Sequence, residues 1–183
     1  MDKKRPIRKR YLLKRKKNYF KINESFFLPL IRLIRKKFKI KKVNVSLYYP
    51  SFYEVDVLRL LDLESSKKFN FLLPIIEKNN SMNFYRWRKN EILFINRFGV
   101  LEPKKSRKVI PNIVLVPLIS FDKNKNRIGY GKGFFDRYLN RYIKNNEKIL
   151  TVGVAFSFQK HHNLPVNKKD YKLDYVITEK GLI

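Results

Sequence analysis

Continuous and alternating apolar runs along the chain predict a set of core strands. Residues 113–119 are apolar without interruption, as expected for a strand buried on both faces of a sheet. Residues 43–49 alternate between apolar and polar positions and stop at Pro50, which predicts a strand that leads into a loop. Further strands are predicted over residues 69–76, 149–156 and 175–178, and residues 82–87 and 92–95 are expected to pair as a hairpin or at a sheet edge.

Apolar residues three or four positions apart predict helices between these strands. One such helix begins at residue 134 and ends near residues 145–146. Its apolar face consists of Phe134, Phe135, Tyr138, Leu139, Tyr142 and Ile143. Other helices are predicted over residues 27–38 and from Asp56, a good N-cap, to about residue 65.

The first helix, predicted over residues 3–21, is strongly basic. Ile7, Tyr11, Leu12 and Arg15 fall at helical spacing, and Pro6 fits only the first turn.

Strands that alternate with helices favour an α/β fold with a mostly parallel central sheet flanked by helices, in a three-layer, Rossmann-like arrangement. The chain shows no repeat and no linker, so residues 1–183 are expected to form one domain. In such sheets, ligands bind beyond the carboxyl ends of the strands. Residues 48–56 follow the first strand, and residues 127–133 lie between a strand and a helix. Both loops are therefore expected at one rim of the sheet.

The loop that begins Arg127-Ile-Gly-Tyr-Gly-Lys-Gly has the chemistry of a phosphate site. Glycines at alternate positions permit a tight turn that exposes backbone N–H groups; they are Gly129, Gly131 and Gly133. Lys132 supplies a cation for phosphoryl oxygens, and Arg127 supplies one for a polyphosphate. The spacing fits neither a Walker A motif nor a dinucleotide fingerprint, and a glycine-rich connection without a ligand is the simpler alternative. A second, glycine-rich turn placed directly before a helix is not needed for a simple connection. It therefore favours phosphate binding over that alternative.

Three carboxylates are candidates for the same site. Asp136, at the start of a helix, offers the hard oxygen that Mg²⁺ prefers, although the helix dipole alone also favours a carboxylate there. Asp174, just before the last strand, is a second metal candidate, with a surface turn as the alternative. Glu54 lies in an aromatic loop suited to a flat heterocycle with ring N–H groups, and a solvated loop carboxylate is the ordinary alternative. Trp87 is assigned to the core.

The formal net charge is +28, from 43 Lys and Arg against 15 Asp and Glu. Residues 1–42 hold eighteen basic and two acidic residues, a net of +16. Such a field attracts RNA, DNA or anionic membranes. However, Lys, Asn, Ile, Phe and Tyr are over-used together, which indicates drift toward A/T-rich codons, and no aromatic-basic RNA motif is present. A nucleic-acid partner is therefore an alternative that the sequence does not favour.

The composition excludes several classes of site. The chain has no cysteine and two histidines, the adjacent pair His161 and His162, which excludes disulfides, thiolate catalysis and a histidine-rich metal site. No apolar run approaches the roughly 18 residues that span a bilayer. A cytoplasmic, monomeric protein without a membrane partner is expected.

The motif of the glycine loop, together with the preceding run Val-Pro-Leu-Ile-Ser-Phe-Asp over residues 116–122, resembles the signature of the 5-formyltetrahydrofolate cyclo-ligase family, also called 5,10-methenyltetrahydrofolate synthetase. Weaker collinear matches extend the resemblance along the chain. They are residues 4–8 with Arg15, 48–54, 98–103, 152–156, Leu164 with its following proline, and Leu173 with Asp174.

The resemblance implies an ATP-dependent, Mg²⁺-requiring ring closure of 5-formyltetrahydrofolate, which in cells can carry a polyglutamate tail, to 5,10-methenyltetrahydrofolate. It also implies residue roles. The ATP-binding set is Lys4, Arg8, Arg127, Ile128, Gly129, Tyr130, Gly131, Lys132, Gly133, Phe134 and Phe135. The folate-binding set is Tyr49, Glu54, Tyr130, Gly131, Lys132, Gly133 and Phe134. Lys132 and Arg127 would be catalytic, and Asp136 and Asp174 would bind Mg²⁺. For Lys4 and Arg8, a solvated basic helix is the alternative.

Two positions depart from the family pattern. Residues 167–170 are Asn-Lys-Lys-Asp where the family often has Glu-x-His-Asp, and Pro6 interrupts the first ATP-contacting segment. Two other functions stay open at this point: an RNA- or ribosome-associated protein on the same fold, and an enzyme acting on another formylated or carboxylated small molecule. Glu54 beside the complete glycine loop favours the folate ligase.

Overall fold

A computed structural model of the chain describes residues 2–38, 42–144 and 148–183. These ranges contain three α-helices: α1 (Lys4–Asn18), α2 (Leu28–Lys37) and α3 (Phe134–Lys144). The strands are β1 (Val43–Ser46), β2 (Phe69–Ile76), β3 (Met82–Arg86), β4 (Leu93–Ile95), β5 (Leu101–Pro103), β6 (Ile113–Pro117), β7 (Ser120–Phe121), β8 (Arg127–Ile128), β9 (Leu150–Val154), β10 (Tyr175–Thr178) and β11 (Gly181–Leu182). Short 3₁₀ helices cover Glu24–Phe27, Val57–Asp62, Glu64–Ser66 and Ser157–Gln159.

Seven strands form the central sheet in the order β11-β10-β9-β6-β1-β2-β3. The five inner strands are parallel, while β3 and β11 pair antiparallel at the two edges. The prediction of an α/β fold with a mostly parallel sheet is therefore confirmed.

The two faces of the sheet are covered by different helices. Because side chains alternate along a strand, Val43, Val45 and Leu115 pack with α2 on one face, and Val114 and Val116 pack with α3 on the other. Trp87 belongs to the first of these clusters, as predicted. The side chain of Ile143, assigned by the sequence to the α3 face, and the predicted helix end near residues 145–146 lie outside the described residues.

The pairing predicted for residues 82–87 and 92–95 is wrong. β3 instead pairs with β2, through a turn in which the Glu77 N–H donates to the Ser81 carbonyl at 2.9 Å. β4 pairs with β5, a strand that the sequence analysis did not identify. Adjacent buried residues in β3, Phe84 and Tyr85, require cover on both faces of the strand, which the edge of the central sheet provides.

The helix predicted after Asp56 forms as 3₁₀ turns. Asp56 is the N-cap as predicted, since its carboxylate accepts the Leu58 N–H at 3.1 Å. Val57, Leu60 and Leu63 are buried at intervals of three, the spacing that places side chains in line on a 3₁₀ helix. Three of the predicted strands are longer than the observed ones, since β1 ends at Ser46, β6 ends at Pro117, and β9 covers residues 150–154.

The inward face of α1 is largely polar. Lys4, Tyr11 and Arg15 are buried, whereas Leu13 is exposed. This helix lies against β7 and the 3₁₀ helix Ser157–Gln159, near the carboxyl ends of the strands, and its Tyr11 hydroxyl donates to the Lys160 carbonyl at 2.9 Å. None of the helices in the described ranges is long and apolar enough to cross a membrane.

A substitution at Gly153 in β9 tests how closely the side chains on one face of the sheet pack against this strand. A Cβ at this position would lie 2.6 Å from Leu173 Cδ1 and 2.7 Å from Leu118 Cδ2. Gly153→Ala should therefore lower the free energy of unfolding by about 1–3 kcal/mol in urea titrations. Gly129→Ala, whose Cβ would meet nothing within 4 Å, is the matched control. Equal stability of the two variants would contradict this packing.

Candidate active site

A cavity of about 640 Å³ opens at the carboxyl ends of the parallel strands. Tyr48 follows β1, while Pro74 and Pro117 lie at the ends of β2 and β6, and all three line it. The loop that carries Glu54 and the loop 129–133 line the same cavity, so the predicted common rim is formed. Its volume falls within the range of roughly 300–1,000 Å³ usual for small-molecule sites.

Most of the residues singled out in the sequence meet in this cavity. Lys4, Arg8, Tyr49, Glu54, Arg127, Gly129, Tyr130, Gly131, Lys132, Gly133, Phe134, Phe135 and Asp136 all line it. Ile128 is buried beneath the loop and is not part of the wall.

The loop 129–133 has the backbone of an anion cradle. Gly131 has φ of +97° and Gly133 of +67°, values that favour glycine over residues with a Cβ. Within the described ranges, the N–H groups of residues 130–133 donate no hydrogen bond to the protein. The loop leads directly into α3, whose first residues, Phe134 to Asp136, also face the cavity. Open N–H groups and a helix N-terminus at one place suit a phosphate.

Two cations on α1 are already paired with carboxylates. Lys4 forms an ion pair with Asp170. Arg8 donates to Asp2 at 2.8 Å and, through Nε, to the Gly129 carbonyl at 3.0 Å. Hydrogen bonding from Arg8 lowers the pKa of the Asp2 carboxyl group. The glycine loop is thereby attached to α1 on its cationic side.

Lys132 differs from these cations. Its ammonium group lies 5.8 Å from the centre of the Phe98 ring, and no carboxylate in the described ranges forms an ion pair with it. The side chain is exposed at the cavity wall. Its charge is therefore available to an incoming anion.

The buried Arg127 forms an ion pair with the partly exposed Asp136 at the base of the loop. Arg127 Nη2 donates to Asp136 Oδ1 at 2.6 Å, and its Nη1 donates to the Tyr171 carbonyl. Burial lowers the pKa of the Arg127 guanidinium group, while Asp136 opposes that shift. The Tyr171 N–H also donates to Asp136 Oδ1, at 3.0 Å. Both hydrogen bonds go to Oδ1, which leaves Oδ2 as the oxygen for a further ligand.

Glu54 is buried in the wall of the same cavity, with 6% of its surface exposed. Tyr130 donates to its Oε1 at 2.6 Å, and the Ser51 N–H donates to its Oε2 at 2.8 Å. Burial raises the pKa of the Glu54 carboxyl group, and the Tyr130 and Ser51 hydrogen bonds oppose that shift. The side chain is thus a fixed acceptor rather than a solvated loop carboxylate.

Aromatic side chains line the cavity, both beside Glu54 and beside the glycine loop. Phe52, which is 70% exposed, contacts Tyr130 with ring centres 6.2 Å apart, and Phe98 contacts Phe134 at 5.6 Å. Phe52 and Tyr53 have φ of +47° and +62°, a conformation that costs about 1–3 kcal/mol in a residue with a Cβ. Such strain is typical of loops shaped by a binding site.

Asp174 does not line the cavity. It precedes β10 and accepts hydrogen bonds from the N–H and hydroxyl groups of Thr151, at 2.8 and 2.7 Å. Thr151 lies near the amino end of β9, opposite the edge where the loops meet. The structure therefore does not bring Asp174 together with Asp136, because a residue that precedes a parallel strand lies at its amino end.

Several wall residues were missed as site residues by the sequence analysis. Asp2 and Asp170 hold Arg8 and Lys4, Phe98 lies beneath Lys132, and Glu102 accepts the Ile76 N–H at 2.7 Å. No local pattern marks these acids: Asp170 lies 166 residues from Lys4 and Glu102 lies 26 residues from Ile76, whereas Asp2 is only six residues from Arg8. Asp170 belongs to the segment that departs from the family pattern.

Comparison with known proteins points to one family. The model of the 5-formyltetrahydrofolate cyclo-ligase family matches residues 1–179. The 5-formyltetrahydrofolate cyclo-ligase of Haemophilus influenzae is 31% identical over 137 residues, which cover 71% of this chain and 72% of that protein. The enzyme of the same name from Mycoplasma genitalium is 33% identical over 138 residues, 73% of this chain and 71% of that protein.

Solved structures agree with this result. The NMR structure of Aquifex aeolicus 5,10-methenyltetrahydrofolate synthetase has a TM-score of 0.73 and 33% identity, and the match covers 98% of this chain and 91% of that one. A 5,10-methenyltetrahydrofolate synthetase from Mycoplasma pneumoniae has a TM-score of 0.69, with 97% and 98% of the two chains covered. At 24% identity, this second likeness supports the fold alone.

Proposed function

The chain belongs to the 5-formyltetrahydrofolate cyclo-ligase family, and from that membership we propose that its cavity binds ATP at the glycine loop and 5-formyltetrahydrofolate at the loop carrying Glu54. The reaction is the ATP-dependent cyclisation of 5-formyltetrahydrofolate to 5,10-methenyltetrahydrofolate. The observation that carries the placement of the substrates is their chemical match to two parts of one cavity. The glycine loop, called the phosphate end, has open N–H groups and an ammonium group without an ion pair in the described ranges. The loop carrying Glu54, called the folate end, has a buried acceptor beside aromatic rings.

The chemistry explains why both substrates must meet. The formyl oxygen attacks the γ-phosphorus of ATP, an O–P bond forms, and the bond to the ADP oxygen breaks. A neighbouring folate nitrogen then attacks the formyl carbon, loses its proton, and phosphate leaves with the former formyl oxygen. An amide oxygen is a weak nucleophile and hydroxide a poor leaving group, so activation as a phosphate ester is required. The protein contributes mainly positioning and charge stabilisation.

At the phosphate end, Lys132 is the proposed catalytic cation. Lys4 and Arg8 already have carboxylate partners, whereas the Lys132 ammonium group can stabilise the negative charge that develops on the transferred phosphoryl group. Binding of ATP by Lys4 and Arg8 would require the phosphates to compete with Asp170 and Asp2. Arg8 lies directly beside the glycine loop, since a Cβ built at Gly131 would be 3.5 Å from the Arg8 guanidinium carbon, an ordinary van der Waals contact.

Arg127 is better suited to positioning than to direct phosphate contact. Its two terminal nitrogens are directed at Asp136 and the Tyr171 carbonyl, and the side chain is almost fully buried. We therefore propose that it orients Asp136, with Oδ2 directed at the nucleotide.

The donor set fits Mg²⁺ only as an ion shared with the nucleotide. No group of three or more His, Asp or Glu side chains within the described ranges is arranged to hold a metal. Mg²⁺ is commonly bound by one or two carboxylates together with substrate phosphates, which Asp136 Oδ2 at the end of the glycine loop can provide for. Bound there, the ion would neutralise phosphate charge. Asp174 would join it only after a rearrangement.

At the folate end, Glu54 is the proposed hydrogen-bond acceptor for the ring N–H groups of the pterin. A carboxylate offers about four acceptor positions, and Tyr130 with the Ser51 N–H and hydroxyl groups occupies three of them. Tyr49, Tyr130 and Phe134 supply adjoining aromatic wall. A polyglutamate tail on the folate, a cytoplasmic location and a monomeric state stay predictions.

The proposed reaction is tested directly by measuring the absorbance of its product, because 5,10-methenyltetrahydrofolate has a near-ultraviolet band that its precursor lacks. Purified protein with 5-formyltetrahydrofolate, ATP and Mg²⁺ should produce this band and a stoichiometric amount of ADP. Removal of ATP, or of Mg²⁺ by a chelator, should abolish the rise. A band that forms at the same rate without ATP would contradict the proposal.

Lys132→Ala should lower kcat by roughly a hundredfold and change both KM values little, because the ammonium group acts mainly on charge that develops in the transition state. Steady-state kinetics in the same assay measure this. Lys123→Ala removes an exposed lysine outside the cavity wall and is the control. A Lys132→Ala enzyme with normal kcat would exclude it from phosphoryl transfer.

Glu54→Gln should raise the KM for folate by roughly tenfold, as expected for loss of a charged hydrogen-bond acceptor, and leave the KM for ATP nearly unchanged. Glu64→Gln, an exposed carboxylate paired with Lys67, is the matched control. An unchanged folate KM, or an equal loss for both substrates, would remove Glu54 from the pterin site.

A further inference from the structure

Arg15 is a buried cation that contacts no carboxylate directly among the residues that the structure describes. Its residue surface is 1% exposed, and it is among the largest fully buried side chains. Its Nη1 donates to the Leu118 carbonyl at 3.3 Å, while its Nε is buried without a hydrogen-bond partner. Arg127, the other deeply buried arginine at this site, has Asp136 as a counter-ion. Burial of a guanidinium group without a counter-ion in contact costs free energy. We therefore expect another interaction to compensate for this cost.

The compensating interaction passes through Tyr130. Arg15 Nη2 donates to the Tyr130 hydroxyl at 2.5 Å, and the same hydroxyl donates to Glu54 Oε1 at 2.6 Å. The guanidinium carbon also lies 5.6 Å from the centre of the Tyr130 ring. Because the hydroxyl accepts from a cation and donates to a carboxylate, its polarity is fixed and both hydrogen bonds are strengthened.

This chain of contacts joins three segments that no strand pairing connects: α1, the loop after β1 and the glycine loop. The ring of Tyr130 is 39% exposed at the cavity, but burial raises the pKa of its hydroxyl group. Glu54 experiences opposed effects, since burial raises the pKa of its carboxyl group and the positive charge of Arg15 lowers it. Arg15 therefore favours the carboxylate form.

We propose that Arg15 is a positioning residue for folate binding: through the Tyr130 hydroxyl it keeps Glu54 ionised and fixed in orientation, and it joins the glycine loop to the folate-binding loop. The inference rests on the proposed function, because it assigns Glu54 to the pterin. It adds that the folate site depends on a residue of α1 that reaches the acceptor through Tyr130.

The test uses Arg15→Met, Arg15→Lys and Tyr130→Phe in the purified enzyme, with Lys16→Met as the control that removes the adjacent exposed charge of α1. Arg15→Met should raise the folate KM roughly tenfold or more and change the ATP KM less than about threefold. Arg15→Lys should recover part of the loss. Tyr130→Phe should raise the folate KM in the same direction, and combining it with Arg15→Met should add little, since both act on one path.

The pH dependence distinguishes positioning from a general loss of structure. Removal of the Arg15 charge should raise the pKa of Glu54 further, so that on acidification kcat/KM for folate begins to fall at a higher pH than in the unmodified enzyme. Thermal melts show whether the Arg15→Met protein folds. If it does not, the Tyr130→Phe variant decides whether the positioning role is correct, because it removes only the hydroxyl group and keeps the packed ring.

The outcomes separate the two proposals. An unmodified enzyme without ATP-dependent activity contradicts the proposed function itself. If that enzyme is active, a Tyr130→Phe variant with normal folate KM and an unshifted acidic limb overturns the positioning role. An Arg15→Met variant that folds and raises both KM values equally also overturns it.

Discussion

The parallel alignment of the five inner strands is the constraint on which the site depends. Because all their carboxyl ends lie at one edge, the segments that follow these strands leave the sheet at that edge, and loops far apart in sequence meet there. Residues that follow β1 and residues near the carboxyl ends of β2 and β6 line the cavity, and the glycine loop that follows the β7–β8 hairpin lines it as well. The same constraint explains why Asp174, which precedes a strand, lies elsewhere.

Charge is distributed in the cavity quite differently from the chain as a whole. The protein carries 43 basic and 15 acidic residues, yet five of the acids that the structure describes line this one cavity: Asp2, Glu54, Glu102, Asp136 and Asp170. Each is already bound to a basic side chain, a hydroxyl group or a backbone N–H group. The basic excess of the chain is therefore absent from the cavity wall, where Lys4, Arg8, Arg127 and Lys132 stand beside five acids. This favours the folate ligase over an RNA-binding protein, in agreement with the family match.

The site separates two tasks along one cavity. The glycine loop and Lys132 offer mobile or open groups to phosphate, where charge changes during the reaction. Glu54 instead is held by several hydrogen bonds, which suits its proposed role in recognising a rigid heterocycle. α1 serves both ends, since Lys4 and Arg8 lie beside the glycine loop and Arg15 reaches Tyr130. Its basic inward face, unusual for a packed helix, has a functional explanation.

Local sequence patterns were sufficient to predict the parallel α/β fold, the extent of β2, the Asp56 N-cap, the start of α3 and the position of the glycine loop directly before that helix. Each of these features depends on residues near one another in sequence. The pairing of β3 with β2, the 3₁₀ form of residues 57–62 and the contacts of Asp170 and Arg15 depend on partners up to 166 residues away. Only the folded chain decides these, since burial and opposite charge select partners by position in space. For the same reason, sequence alone grouped Asp174 with Asp136, while the tertiary structure separates them.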